Sequence, residues 1–540
     1  MRRLFLHIAL PITAIGIGVL AHRLLVIPAL GQVQDSTLLF GLPNPLPPLP
    51  DNPPAWFFPV WAQSLISPKP SSISSEQGQT PAVIPQYFED SDSTGQIATY
   101  QPGGATETAG NAYFTSLGSN GRACVTCHQP QSGWSMNPSN AQAIFHATKG
   151  EDPLFSPVDG ANCPDAAMAA ESLSQKATAS SQLLLKGNIR IFLPVPTNAQ
   201  FKVRILRDPY GCETSQKYGL PSGVISMYRR VMNATNLTRN AQVGPPLAPQ
   251  GTIMWDGREP TLQSQFLDAT LGHAQASEPP SSEQINQGVA FETGLFTAQE
   301  VDHNAGSLSA LPAAGGAVNL SRIGIPNTPE FAIPFSFIPY EGWALALNSA
   351  QASINRGETI FDTRTFKVDG VAGFNNVVSV VVPVPGAVTV TCSTCHNNLN
   401  VGADTIGGGR HLGIGDNSSV NKSGPQATAT ALPPTSDQPL FAFDCPVNSI
   451  PYFSNQVTIN GHKYDEYQTT DPGMGLISGQ CADLGKFKVP RLAGLAARAP
   501  YFHNGNAVSL GQLVNFYNTR FSIGLSAQDQ EDLINFLNSI

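Results

Sequence analysis

The chain has 540 residues, 41 % of them hydrophobic, enough for sizeable cores and more than one domain usually holds, so two domains with accessory segments are expected. Charged residues reach only 12 % and the net charge is −9, with no run of lysine or arginine, which argues against nucleic acid as a partner. The 49 glycines and 46 prolines predict long loops between short helices, and the balance suits a protein that meets small molecules or basic partners.

In chain order, Arg2 and Arg3 precede an apolar run that is broken by His7 and Pro11 and interrupted at His22 and Arg23. Residues 1–31 read as a secretory signal or an uncleaved membrane anchor, with Ala29-Leu30-Gly31 as a small-x-small cleavage site. Either way the body is exported, to the periplasm in a bacterial-type cell. Proline-dense Phe40–Trp61 and Ser/Gln-rich Ser67–Thr80 read as a stiff linker over 32–100.

Gly110–Phe114 (GNAYF) reads as a short helix ending in an aromatic, ten residues before CVTCH, which is Cys124, Cys127 and His128. The arrangement recurs as Gly357–Phe361 (GETIF), 31 residues before CSTCH, which is Cys392, Cys395 and His396. Two thiols one helical turn apart reach the two vinyl groups of one porphyrin, and the next histidine falls beneath the iron. A zinc half-site would need a second pair near each motif, and a thioredoxin-like pair would not need the histidine twice. Two covalent haem c groups are therefore expected. Cys163, Cys212, Cys445 and Cys481 remain, and in an oxidising compartment they read as structural disulfides. Pairing Cys163 with Cys212 and Cys445 with Cys481 keeps each bridge within one haem domain, although sequence leaves the pairing open.

The second copy also holds Phe374–Thr391, a β-branched run split by proline and glycine, which predicts a small inserted β-hairpin. Gly407–Asp416 (GGGRHLGIGD) lacks the preceding strand and the register of a phosphate loop, so it reads as a loop around a haem edge, with Arg410 beside a propionate. Leu533, Ile534, Phe536, Leu537 and Ile540 repeat at helical spacing and suit a last helix. The expected fold is mainly α: two cytochrome c-like haem domains, 101–345 and 346–540, with long loops and the small hairpin.

Three blocks together resemble the diheme cytochrome c peroxidase family, which includes MauG: the paired C-x-x-C-H, WDGREPTLQSQ from Trp255 to Gln265, and FKVPRLAGLAARAPYFHNGNAVSLGQLVNFYNTRF from Phe487 to Phe521. The resemblance covers roughly residues 105–540, with long divergent segments at 140–250 and 275–345. It implies a peroxide-reactive N-terminal haem on His128, an electron-relaying C-terminal haem on His396, and Trp255 as the bridge between them. It also implies a distal glutamine ten residues after the tryptophan, matched by Gln265, and a distal glutamate twenty after, where this chain has Gln275. An amide takes no proton from peroxide as a carboxylate does. His273, Glu278 and Glu283 are the substitutes within reach. The distal ligand of the second haem falls at Tyr517, with Met474 and His503 as alternatives, and a removable distal histidine of the first at His146. A calcium between the domains is also implied, with Asn233 or Asn236 near its place. The resemblance further implies hydrogen peroxide as substrate, a small cytochrome or cupredoxin as donor, and a homodimer. A MauG-like or rubber-oxygenase-like oxidase and a non-catalytic electron-transfer cytochrome are the rival readings.

Overall fold

A computed structural model describes residues 82–214, 223–237, 253–322, 338–377, 386–396, 409–416, 436–453 and 455–540. The expected signal or anchor and most of the proline-rich linker lie outside these. Among the described residues no helix is long and apolar enough to cross a membrane.

Among the described residues the architecture is mixed, with 13 helices and several sheets, 33 % helix and 22 % strand, and this overturns the mainly α expectation. The reason is visible in the strands themselves. Tyr87–Ser91, Gln456–Ile459 and His462–Thr469 alternate between more and less exposed positions, the period-two signature of a half-buried strand. One four-stranded antiparallel sheet joins Tyr87–Ser91, Gly95–Tyr100, Phe296–Asp302 and Gly306–Ser307. A second runs in the order Gln456–Ile459, His462–Thr469, Leu440–Cys445, Lys202–Arg207. Its last pairing sets Phe443 opposite Val203, so a strand that precedes both haem-domain midpoints is bonded to one far along the chain. Asn188–Pro194 pairs with Val224–Arg230 as a separate ribbon.

Both disulfides expected from sequence are formed, Cys163–Cys212 and Cys445–Cys481. Of the expected hairpin over Phe374–Thr391, Val388–Val390 is a strand that pairs antiparallel with Phe366–Val368, just before that run, and residues 378–385 lie outside the described set. Gly110–Phe114 is a turn rather than a helix. Asn111 accepts the Tyr113 amide on its side chain and the Phe114 amide on its carbonyl, a local bonding pattern that competes with helix.

Gly357–Phe361, by contrast, lies within the helix Ser349–Thr363. That helix crosses Ala527–Asn538, the C-terminal helix anticipated from its apolar spacing, which Ser526 caps in a reciprocal box with Asp529. The crossing is close because position 357 has no side chain: a Cβ there would stand 2.0 Å from the Asp532 carbonyl oxygen. Ser353 and Arg356 then bond the Asp532 carboxylate at 2.6 and 2.7 Å. Ile354, Phe361, Leu533, Phe536 and Tyr340 are buried together on this crossing.

Candidate haem sites

Each cysteine pair occupies one turn of helix, Cys124–Cys127 and Cys392–Cys395, and each histidine follows as the C-terminal cap. None of these four thiols is in a disulfide, whereas the other four cysteines are. Each turn opens into a cavity of its own. Cys124, Cys127 and His128 line the first; Cys392, Cys395 and His396 line the second.

His128 Nδ1 lies 3.1 Å from the carbonyl of Trp134. A carbonyl only accepts, so Nδ1 carries the proton and Nε2 keeps its lone pair, the tautomer an axial ligand needs. Burial, against that hydrogen bond, holds the imidazole down to about 4, so it is neutral. Trp134 is itself fixed, fully buried with its indole N–H on Thr99 at 3.0 Å. His396 has the Phe361 ring at 6.2 Å.

The cavities share a wall formed by Arg230, Asn233, Trp255, Lys488 and Arg491, among others. Trp255 is held at both ends. Its indole N–H donates to the Arg230 carbonyl at 2.8 Å, and its own carbonyl accepts from the Lys488 amide at 2.9 Å. Beneath it, Arg229 is buried between Asp256 and Asp471, bonding Asp471 at 2.6 and 2.8 Å and Asp256 more closely still. Burial pushes the Arg491 guanidinium down to about 9 and the Lys488 ammonium well below its usual range. Buried cations at these cavities suit a group that carries carboxylates. Paired cysteines outside any disulfide, apolar walls and basic residues fit haem c at both sites, and at the first the imidazole is already in the ligating tautomer.

The helix Leu262–Gly272, capped by Thr261, supplies most of the first cavity's far wall. Gln265, Ala269 and His273 recur at helical spacing along one face and line the cavity. The wall is set by a close helix pair, since a Cβ at Gly288 of Ser282–Thr293 would meet the Phe266 ring at 2.1 Å. Gln275 is elsewhere. The helix ends at Gly272, the chain turns back, and Gln275 takes φ +56. Its carbonyl accepts from Ser119, its side-chain oxygen accepts from Asn120 at 3.4 Å, and it does not line the cavity. The structure thus brings His128, Trp255 and Gln265 to one cavity and leaves Gln275 behind it. His273 does line it, with Nδ1 on Asp159 at 2.5 Å; burial, with Arg122 and Arg258, holds this ring down to about 3. Glu278, Glu283 and His146 are exposed and line neither cavity.

Tyr517, on the helix Leu510–Phe521, lines the second cavity among Phe502, Phe516 and Phe521, and burial keeps its phenol protonated. His503 lines it too, stacked on Phe487 at 3.7 Å and edge-on to Trp255 at 6.3 Å. Met474 is not among its lining residues. Arg410 is, with Phe374 beneath its guanidinium at 5.5 Å. Asn236 is buried and donates to the Thr297 carbonyl at 3.0 Å, and Asn233 accepts from Arg491. No group of three or more His, Cys, Asp or Glu able to hold a metal occurs among the described residues.

Sequence reading missed Glu292, a buried carboxyl in the first cavity that burial pushes up to about 8 against Arg491. Glu259 and Asp268 were missed as well. The signal for Asp268 was its place three residues after Gln265, on the same helix face.

No family model matches the chain. It is 30 % identical over 156 residues to Cytochrome-c peroxidase IdrP2 of Denitromonas iodatirespirans, covering 28 % of this chain and 35 % of that protein. It is 30 % identical over 101 residues to Cytochrome-c peroxidase IdrP1 of Pseudomonas sp. (strain SCT), covering 15 % and 27 %. The chain thus matches about a third or less of the length of these curated relatives, and is a distant relative of proteins named cytochrome-c peroxidase. Among solved structures, a MauG-like protein associated with microbial copper homeostasis aligns over 59 % of this chain and 77 % of its own, at 14 % identity and a TM-score of 0.27. At that score the likeness carries no weight.

Proposed function

We propose that this chain is an exported diheme c-type oxidoreductase that reduces hydrogen peroxide to water, with electrons from a small donor cytochrome or cupredoxin. The observation that carries the reading is the pair of C-x-x-C-H turns opening on two cavities that share a wall at Trp255. Cys124, Cys127 and His128 would hold one haem, and Cys392, Cys395 and His396 the other. Bound haem supplies the one-electron chemistry and the iron at which peroxide is reduced. The protein's own part is to orient, insulate and protonate. Trp134 keeps His128 in the ligating tautomer, Trp255 fills the space between the sites, and Gln265 offers an amide to a small polar molecule beside His128. Tyr517 is the proposed distal group of the second site.

The test is a haem count with spectra of the exported protein, with and without peroxide. Two haem c per chain and rapid peroxide-dependent oxidation of a reduced small cytochrome are expected. Two low-spin sites indifferent to peroxide would overturn the reading. A second reading, a MauG-like oxidase of an organic or protein substrate, is favoured by Gln275 facing away from the cavity and Tyr517 facing into the other. It predicts a long-lived oxidised state after peroxide in the absence of any donor.

A further inference from the structure

Reducing hydrogen peroxide to two waters breaks the O–O bond and consumes two electrons and two protons. On the reading above the electrons come from the donor protein, but the protons need a source near His128. Gln275 is an amide and faces Asn120 and Ser119 instead of the cavity.

A smaller chamber adjoins the first cavity. The two share Ile191, Met254, Arg258, Gln265, Ala269 and His273 as walls. The chamber's remaining lining includes Asp159, Glu259 and Asp268. Glu259 is buried at the turn before the helix Leu262–Gly272, and it lines this chamber together with Asp268 of that helix, whose carboxyl acts on that of Glu259. Two carboxyl groups so placed hold one proton between them, because a pair of carboxylates would repel. Ser264 and Arg258 also face Glu259, and His273, bonded to Asp159, stands at the boundary of the two spaces. Across the chamber is Arg190, buried, with its Nε–H lacking a hydrogen-bond partner among the described residues.

We propose that the Glu259–Asp268 pair is the proton store for reduction at the His128 site, discharging through this chamber past His273 and refilling from solvent. Each peroxide takes two discharges. The pair replaces the carboxylate that position 275 lacks, and Glu259 acts at one remove from the reacting oxygens. This inference rests on the peroxide reading of the first site.

Burial and the Asp268 carboxyl raise the Glu259 carboxyl far above the usual carboxylate range, to about 8. Below that pH the pair is loaded; above it the proton is lost. In the wild-type holoprotein the rate of peroxide-driven haem oxidation should therefore fall as pH rises through about 8. E259Q should lower the rate at neutral pH about a hundredfold and remove that limb, while E259D restores part of both. D268N, which leaves Glu259 in place, should shift the limb. Infrared titration of the holoprotein without peroxide provides the second readout: a protonated-carboxyl band that titrates over this range in the wild type should be missing in E259Q, while the band of Glu292, which burial also pushes up to about 8, remains. A wild type inert to peroxide would sink the peroxidase reading and the relay with it. A reactive wild type with unchanged rate and pH profile in haem-replete E259Q, or with the same titrating carboxyl bands in E259Q as in the wild type, would sink the relay alone.

Discussion

Around His128 the far wall carries Gln265, His273, Arg258 and the buried Glu292, and a chamber holding three more carboxyl groups adjoins it. Around His396 the corresponding wall is Phe361, Val368, Phe374, Val390 and Phe521, and no carboxyl lines the cavity among the described residues. The same C-x-x-C-H turn is therefore set in two different media. One carries titratable side chains on the cavity wall and in the adjoining chamber, as the proposed proton supply requires. The other pairs these apolar side chains with basic residues such as Arg410 and Arg498, a surrounding that suits the proposed electron-storing role. Their common wall, with Trp255 pinned at both ends, is where the two media meet.

The largest effect that could break this comparison is removal of either attachment site. C124S/C127S should lose one haem c per chain and all peroxide reactivity. C392S/C395S should also lose one haem, yet leave a His128 site that still reacts with peroxide and is not re-reduced by the donor. Haem quantification with stopped-flow spectra distinguishes them, and equal phenotypes would erase the proposed division of labour. Next in size is Arg229→Ala, which strands Asp256 and Asp471 as buried carboxylates under the shared wall; a loss of about 3–5 kcal/mol is expected in denaturant unfolding. Trp255→Phe should leave both haem spectra intact while slowing transfer between them, as read by the re-reduction rate after a peroxide pulse. The smallest effect belongs to Gln275→Glu. Because residue 275 faces Asn120, restoring a carboxylate there should not speed the peroxide reaction at any pH.

Much of the candidate site was readable from sequence because its chemistry is local. Two thiols and a histidine within five residues need one turn of helix and no tertiary information, and both turns fold as expected. Trp255 and Gln265 were also locatable, being ten residues apart with the second on a helix whose cap is written in Thr261. Gln275 was not, because a count along the chain carries no knowledge of where the helix stops, and His273 reaches the cavity in its place. Glu259 with Asp268 escaped because their meeting depends on the turn at Pro260 bringing one back over the next helix. The fold class failed for a plainer reason. Strands such as Val224–Arg230 and Leu440–Cys445 are continuous apolar or mixed runs with no alternation of their own, and their partners are distant in sequence.

The strand Lys202–Arg207, paired to Leu440–Asp444, has a bearing on how the molecule could be dissected. A polypeptide severed in the middle would not yield two self-sufficient cytochromes. One fragment would carry 202–207 as an orphaned ribbon, and the other would present the unmated flank of Leu440–Asp444, each a template for foreign strands. Co-expressed, the pieces should find one another and rebuild the sheet; expressed alone, each should aggregate. What resembles a gene duplication in its two haem signatures is, at the level of the backbone, one indivisible weave.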